Sequence, residues 1–183
     1  SYIDRKFKDR PDLRDAVTMK LVQSVHVDCA GLDHVDFTAD DKYAIATCEF
    51  SGQLVKLDLA ARKPIEYLQL QMPSMPQDVR LAPNGRSFFV ADMGRDLLLQ
   101  IPWDRFRVAH AYPTRKMPHG IYFSRDQQLL YLSDRESGAV QVFNLAKQDV
   151  AGFEFYARQM QRLFAQRPRT LEDILDGLFH IAT

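Results

Sequence analysis

The sequence predicts an all-β repeat fold, and three observations support that expectation. Three stretches, Leu32-Asp33-His34-Val35-Asp36-Phe37, Pro76-Gln77-Asp78-Val79-Arg80-Leu81 and Pro118-His119-Gly120-Ile121-Tyr122-Phe123, share a frame in which Val35, Val79 and Ile121 correspond. The frame persists downstream: Cys48, Asp92 and Asp134 are spaced by the same 44 and 42 residues, and so are Leu54, Leu98 and Val140. Between these landmarks short alternating segments are cut by turn residues, and no helical periodicity runs between Val25 and Val150. A period of about forty residues, kept over several landmarks, marks a repeat architecture.

Taken in order, the chain opens on alternating charge from Arg5 to Arg14, read as a solvated approach to the first strand, with a short helix over Asp12 to Val17 behind Pro11 as the alternative. Leu21 to Val27 reads as a single strand before the first repeat. In the first unit Asp40-Asp41 turns, Tyr43 to Phe50 is the second strand, Ser51-Gly52 turns, Leu54 to Leu59 is the third strand and Ile65 to Leu70 the fourth. In the second, Gln77 to Leu81 alternates around Val79 and Leu81, and Pro83-Asn84-Gly85 is a turn because Gly accepts positive φ. Ser87 to Asp92, Leu97 to Ile101 and Val108 to Tyr112 complete that unit. In the third, Leu129 to Asp134 and Val140 to Leu145 flank Ser137-Gly138, and Phe153-Glu154-Phe155 is the expected fourth strand. Four antiparallel strands per ~42 residues describe a propeller blade. The alternatives are a β-sandwich or meander with accidental similarity; solenoid repeats of this length usually carry helices.

After Tyr156 the pattern changes. Met160, Leu163 and Phe164 fall at helical spacing, Pro168 breaks the run, and Leu171, Ile174, Leu175, Leu178 and Phe179 form a second apolar stripe behind Thr170. The expected organisation is a charged lead-in at 1–19, blades at 31–72, 75–115 and 117–156 within a repeat region at 20–156, and a short helical tail at 157–183 that caps the last blade. A partner-binding helix is the alternative role for the tail.

Composition bounds the function. The chain has 183 residues, 46% hydrophobic and 26% charged, with 24 basic against 24 acidic residues. That balance gives no basic footprint for nucleic acid, and no uninterrupted apolar run approaches the ~18 residues of a membrane span. Ser1 to Lys6 lacks the apolar core of a signal peptide. Cys29 and Cys48 are the two cysteines, enough for one bridge but not for a disulfide framework.

Met117-Pro118-His119-Gly120, Leu130-Tyr131-Leu132-Ser133-Asp134 and Ser137-Gly138-Ala139-Val140-Gln141-Val142-Phe143-Asn144-Leu145 together resemble the YVTN β-propeller family, and the resemblance covers about residues 20 to 150. It implies blade architecture, and it favours a secreted or periplasmic setting. Related rings include surface proteins, lactonase-type enzymes, the heavy subunit of amine dehydrogenases and the haem-d domain of a nitrite reductase. One fold with many roles leaves function to be argued from a site. Rings of this family usually have seven blades, and three cannot close a ring; their end sheets would expose apolar faces. Three explanations remain: part of a longer propeller, assembly of several chains through open blade edges or with another protein partner, or an arc capped by its own termini.

Two clusters carry candidate chemistry. His26-Val27-Asp28-Cys29, Asp33-His34 and Cys48 bring imidazole and thiolate, good ligands for zinc or copper, without completing a paired spacing. The second cluster is repeated: Asp33, Gln77 and His119 are equivalent, as are His34, Asp78 and Gly120. These positions start the strand that lines a propeller's channel, so Asp33, His34, Asp78 and His119 would bind a ligand there, or Asp78 and its equivalents would instead satisfy backbone groups. A metal or haem would be held by His26, His34 and His119; no cofactor is otherwise predicted. Cys48, Asp92 and Asp134 end second strands, where Asp receives turn N–H groups and Cys48 would lose that acceptor. Trp103, Phe106 and Tyr112 read as packing between blades. There is no phosphate-cradling glycine loop, Gly-x-Ser-x-Gly elbow or His-Glu-x-x-His helix, and Ser24, Ser51 and Ser137 have no evident base. The leading expectation is a non-catalytic scaffold that presents a binding surface; the rival is a propeller enzyme or redox domain.

Overall fold

The structure, a computed structural model, describes residues 10–145. They form thirteen strands in four antiparallel sheets. A hairpin of β1 (Asp12–Arg14) and β2 (Leu21–Ser24) precedes the first blade of β3 (Leu32–Phe37), β4 (Tyr43–Cys48), β5 (Gln53–Asp58) and β6 (Lys63–Gln69). The second blade is β7 (Pro76–Leu81), β8 (Ser87–Asp92), β9 (Leu97–Pro102) and β10 (His110–Pro113). The third contributes β11 (Pro118–Phe123), β12 (Leu129–Asp134) and β13 (Ala139–Asn144). Each blade is a meander in which sequence neighbours pair, so the architecture is a partial β-propeller. The expected fourth strand at Phe153–Phe155 and the helical tail at 157–183 lie outside the described residues.

The repeat is written in the backbone as well as in the side chains. Asp41, Gly85 and Gln127 occupy equivalent turns with φ of 54°, 69° and 61°, and Gly52, Asp96 and Gly138 do so with 62°, 56° and 57°. A position that needs positive φ recurs even where the residue is not glycine.

Alternation then places two apolar faces on each blade. Ile45 and Leu54 of blade one meet Val79, Phe88 and Val90 of blade two. The opposite face of blade two, with Phe89, Ala91 and Leu98, meets Ile121, Leu130 and Leu132 of blade three. Full burial of each such side chain stabilises by about 1.5–3 kcal/mol. The remaining face of blade one carries Ala44 and Ala46 where the second blade has Phe88 and Val90 and the third has Leu130 and Leu132. Val25 and Val27 lie on that face, 4% and 1% exposed, together with Leu13. The segment ahead of β3 therefore covers the outer part of this face.

Two readings of the front are corrected. The short helix at Asp12–Val17 is instead β1 followed by a turn, because Leu13 packs into the core and the Asp15 carboxylate accepts the N–H of Val17 and Thr18, at 3.2 and 2.7 Å. The single strand at Leu21–Val27 is a paired strand that ends at Ser24, after which Val25 and Val27 turn into the core. Cys48 is not left without a partner: it forms a disulfide with Cys29, which removes both thiols as metal ligands.

Candidate ligand-binding surface along the inner strands

The repeated candidate residues share one structural cause. In every blade the pairing of first and second strands slips at the same place, between Leu32 and Val35, Pro76 and Val79, and Pro118 and Ile121. Three steps on the inner strand oppose two on its neighbour, which is a β-bulge. The bulged residues are Asp33-His34, Gln77-Asp78 and His119-Gly120. A bulge re-aims side chains and leaves backbone groups without ladder partners. Second-strand hydroxyls take up three of these groups. Thr47 Oγ1 accepts the His34 N–H at 3.0 Å and donates to the Gln77 carbonyl at 2.8 Å, and Ser133 Oγ accepts the Gly120 N–H at 2.9 Å. Thr47 and Ser133 are equivalent positions.

The bulge gives each candidate a different environment. The Asp78 side chain is 3% exposed and accepts the N–H of Val79 at 2.9 Å and of Ile121, in the next blade, at 2.8 Å. Arg80 Nε lies 3.3 Å from the same carboxylate. Asp36 makes a second crossing of this kind, accepting the Leu81 N–H at 2.6 Å. These charge-assisted bonds tie one inner strand to the next. Asp36 was missed from sequence; its signal was a carboxylate on an inner strand, two residues beyond the bulge.

The histidines are placed otherwise. His34 Nδ1 is 3.1 Å from Asp33, within ionic range, but not aligned for a hydrogen bond. His26 is 3.1 Å from Asp28, both largely exposed, in the connection between β2 and β3. His119 is half-buried on β11. Among the described residues no group of three His, Cys, Asp or Glu side chains is arranged to hold a metal ion.

In blades one and two the end of the second strand clamps the loop before the blade, and in blade three an acid of the preceding blade takes that role. In blade one the clamp is the Cys29–Cys48 disulfide. In blade two Asp92, fully buried, accepts from Ser74 Oγ at 2.7 Å and from the Met75 N–H at 2.9 Å. In blade three Asp96 takes the equivalent Met117 N–H at 2.9 Å, and Asp134 receives Gln141 Nε2 at 2.7 Å through one oxygen. Its other oxygen is buried without a hydrogen-bond partner. Burial pushes the Asp134 carboxyl up to about 6, against the opposing pull of the Gln141 hydrogen bond and Arg115.

The blade interfaces hold two further features. Between blades one and two, Lys56 donates to the Trp103 carbonyl at 2.8 Å and sits 5.0, 5.7 and 5.6 Å from the rings of Tyr43, Trp103 and Phe106. These rings enclose a cation of the chain itself. Between blades two and three lies a cavity of about 300 Å³, walled by Phe89, Leu98, Gln100, Tyr112, Phe143 and Leu145 among others. Among the described residues no carboxylate, amine, guanidinium or imidazole lines it.

Solved structures share this fold. The chain is similar to hydrazine synthase of Kuenenia stuttgartiensis, with a TM-score of 0.72 and 18% identity over 79% of this chain and 42% of that one. It is also similar to a 6-phosphogluconolactonase-like protein of Bacteroides uniformis, with a TM-score of 0.62 and 16% identity over 75% and 44%. The chain spans less than half the length of either. It matches no sequence-family profile and no curated protein.

Proposed function

We propose that this chain is a non-catalytic propeller scaffold of the YVTN type, part of or derived from a larger propeller, whose blade interfaces present a surface for a ligand or a protein. One observation carries the reading: the Asp78 carboxylate, the buried acid among the candidate site residues, is bound to the backbone of two neighbouring inner strands. A general base or metal ligand needs a lone pair directed at substrate or metal. The cavity between blades two and three supports the binding half of the proposal. Its apolar walls, with the amide of Gln100 and the hydroxyl of Tyr112, suit a neutral ligand with polar edges.

The rival reading is a propeller enzyme or redox domain with metal or haem at His34 and His119. It draws on the hydrazine synthase and lactonase-like neighbours. Purified protein tests both, by metal analysis, a visible absorption spectrum and hydrolysis of 6-phosphogluconolactone. The scaffold reading expects sub-stoichiometric metal, no absorption band and no turnover above buffer. Near-stoichiometric cofactor, or turnover lost in His119→Ala, would overturn it.

A further inference from the structure

We propose that Asn84 is a site of spontaneous modification, at which the side-chain amide is converted to aspartate and isoaspartate, and that the contact between blades one and two governs its rate. This goes beyond the scaffold reading and does not depend on it. Asn is a thermolabile residue, and Asn84 is followed by Gly85, whose backbone nitrogen has no neighbouring side chain to hinder it. In the reaction the Gly85 nitrogen attacks Asn84 Cγ and loses its proton. The Cγ–N bond of the amide breaks and ammonia leaves. Water then opens the resulting succinimide at one of its two carbonyls. One opening gives aspartate; the other gives isoaspartate, which lengthens the main chain by one carbon. Net, one water is consumed and one ammonia is released.

The repeat shows how the turn holds both reacting groups. Asn84 is equivalent to Asp40 and Asp126. In each turn Oδ1 accepts the N–H two residues on, from Lys42 at 3.2 Å, Arg86 at 2.9 Å and Gln128 at 3.1 Å. The intervening N–H is engaged as well: Asp41 donates to the Thr38 carbonyl at 2.9 Å, Gly85 to Ala82 at 2.8 Å and Gln127 to Ser124 at 2.9 Å. Asn84 is exposed, so water reaches it, but its amide and the attacking nitrogen are bound to separate partners. Blade contact adds to this hold. Trp103 Nε1 donates to the Gly85 carbonyl at 3.1 Å, and the Trp103 ring lies 6.1 Å from that of Tyr43 in blade one. A Cβ at Gly85 would stand 3.3 Å from Ala39 Cβ, also of blade one. The turn opens when this corner of the interface loosens, and the reaction runs from that open state.

The two products differ in consequence. Aspartate already stands at positions 40 and 126 with the same acceptor bond, so the turn accommodates it. The added carbon of isoaspartate moves the Gly85 N–H from Ala82 and the Gly85 carbonyl from Trp103, and leaves the corner loosened.

The test is incubation of the full chain at mildly alkaline pH, folded in buffer and unfolded in urea. Mass spectrometry then follows the tryptic peptide 81–86, in which Asn84 is the sole side-chain amide. Isoaspartate is scored by labelling with an isoaspartyl methyltransferase. The unfolded chain is expected to convert about tenfold or more faster than the folded one. Trp103→Phe keeps a ring and removes the N–H, and should convert at a rate between the two while circular dichroism shows it folded. Lys56→Met loosens the same interface from blade one and serves in its place should Trp103→Phe not fold. Asn84→Asp should melt with the parent, and the isolated isoaspartate form below it. Equal rates in folded and unfolded chain, or no conversion at Asn84 in urea, would overturn the proposal. So would a folded interface variant no faster than the parent, or an isoaspartate form that melts with the parent.

Discussion

Asp134 shows how one residue's environment departs from a repeat. Its equivalents at second-strand ends have complete partners, the disulfide at Cys48 and two donors at Asp92, while Asp134 keeps one oxygen buried and unpaired. The folded carboxyl holds its proton up to about 6 against an ordinary 3.8. Raised in the folded state, the group imposes no penalty below its ordinary value. The penalty grows as pH rises between the two values and is complete above about 6. Asp134→Asn removes it and adds a donor. Chemical denaturation should find that variant equal to the parent near pH 3.5 and more stable above about 6, by about 1–3 kcal/mol. A difference independent of pH would mean that Asp134 titrates normally. The sequence showed that Asp134 was equivalent to Asp92 but could not show its missing donor. Asp96, a residue of another blade, takes the Met117 N–H, and that competition exists only once the blades are packed.

Within an element, the clamp at the end of the second strand fixes the loop before the first. In blade one the clamp is covalent and joins the covering segment to β4 through a 19-residue separation. Closing a loop of that size contributes about 3 kcal/mol. Cys48→Ser should lower stability by roughly that amount and should raise hydrogen exchange at residues 11–29 far more than in blades two and three. Uniform exchange across all blades would show that the cap and blade one do not open separately. Strand positions and turns were largely legible here, since the alternation and the turn residues recur with the period. The bulges were not, because a bulge leaves no compositional mark except the Thr47 and Ser133 hydroxyls opposite it. Sequence reading found the bulged residues as a repeated cluster and weighed ligand binding against satisfaction of backbone groups at the blade starts. Packing shows a backbone reason for their repetition. The front hairpin was misread for a related cause: the charge alternation around Arg14 concealed that Leu13 is the residue the core takes.

At the scale of the whole molecule, the three blades are coupled through carboxylates that cross from one inner strand to the next, and through the apolar faces behind them. Lys56, held by Trp103 and three rings, adds a polar tie between blades one and two. The repeat period, together with four short strands in each unit, made the partial propeller legible, because a period of about forty with four strands has few other realisations. The stability of Asp78→Ala is the measurement that most directly separates a structural from a catalytic role for the inner-strand residues. A structural Asp78 requires a loss of roughly 2–4 kcal/mol on urea denaturation, since two buried N–H groups lose a charged acceptor, with faster exchange where blades two and three meet. Stability within about 0.5 kcal/mol of the parent, with binding or turnover abolished, would contradict it and return Asp78 to a functional site.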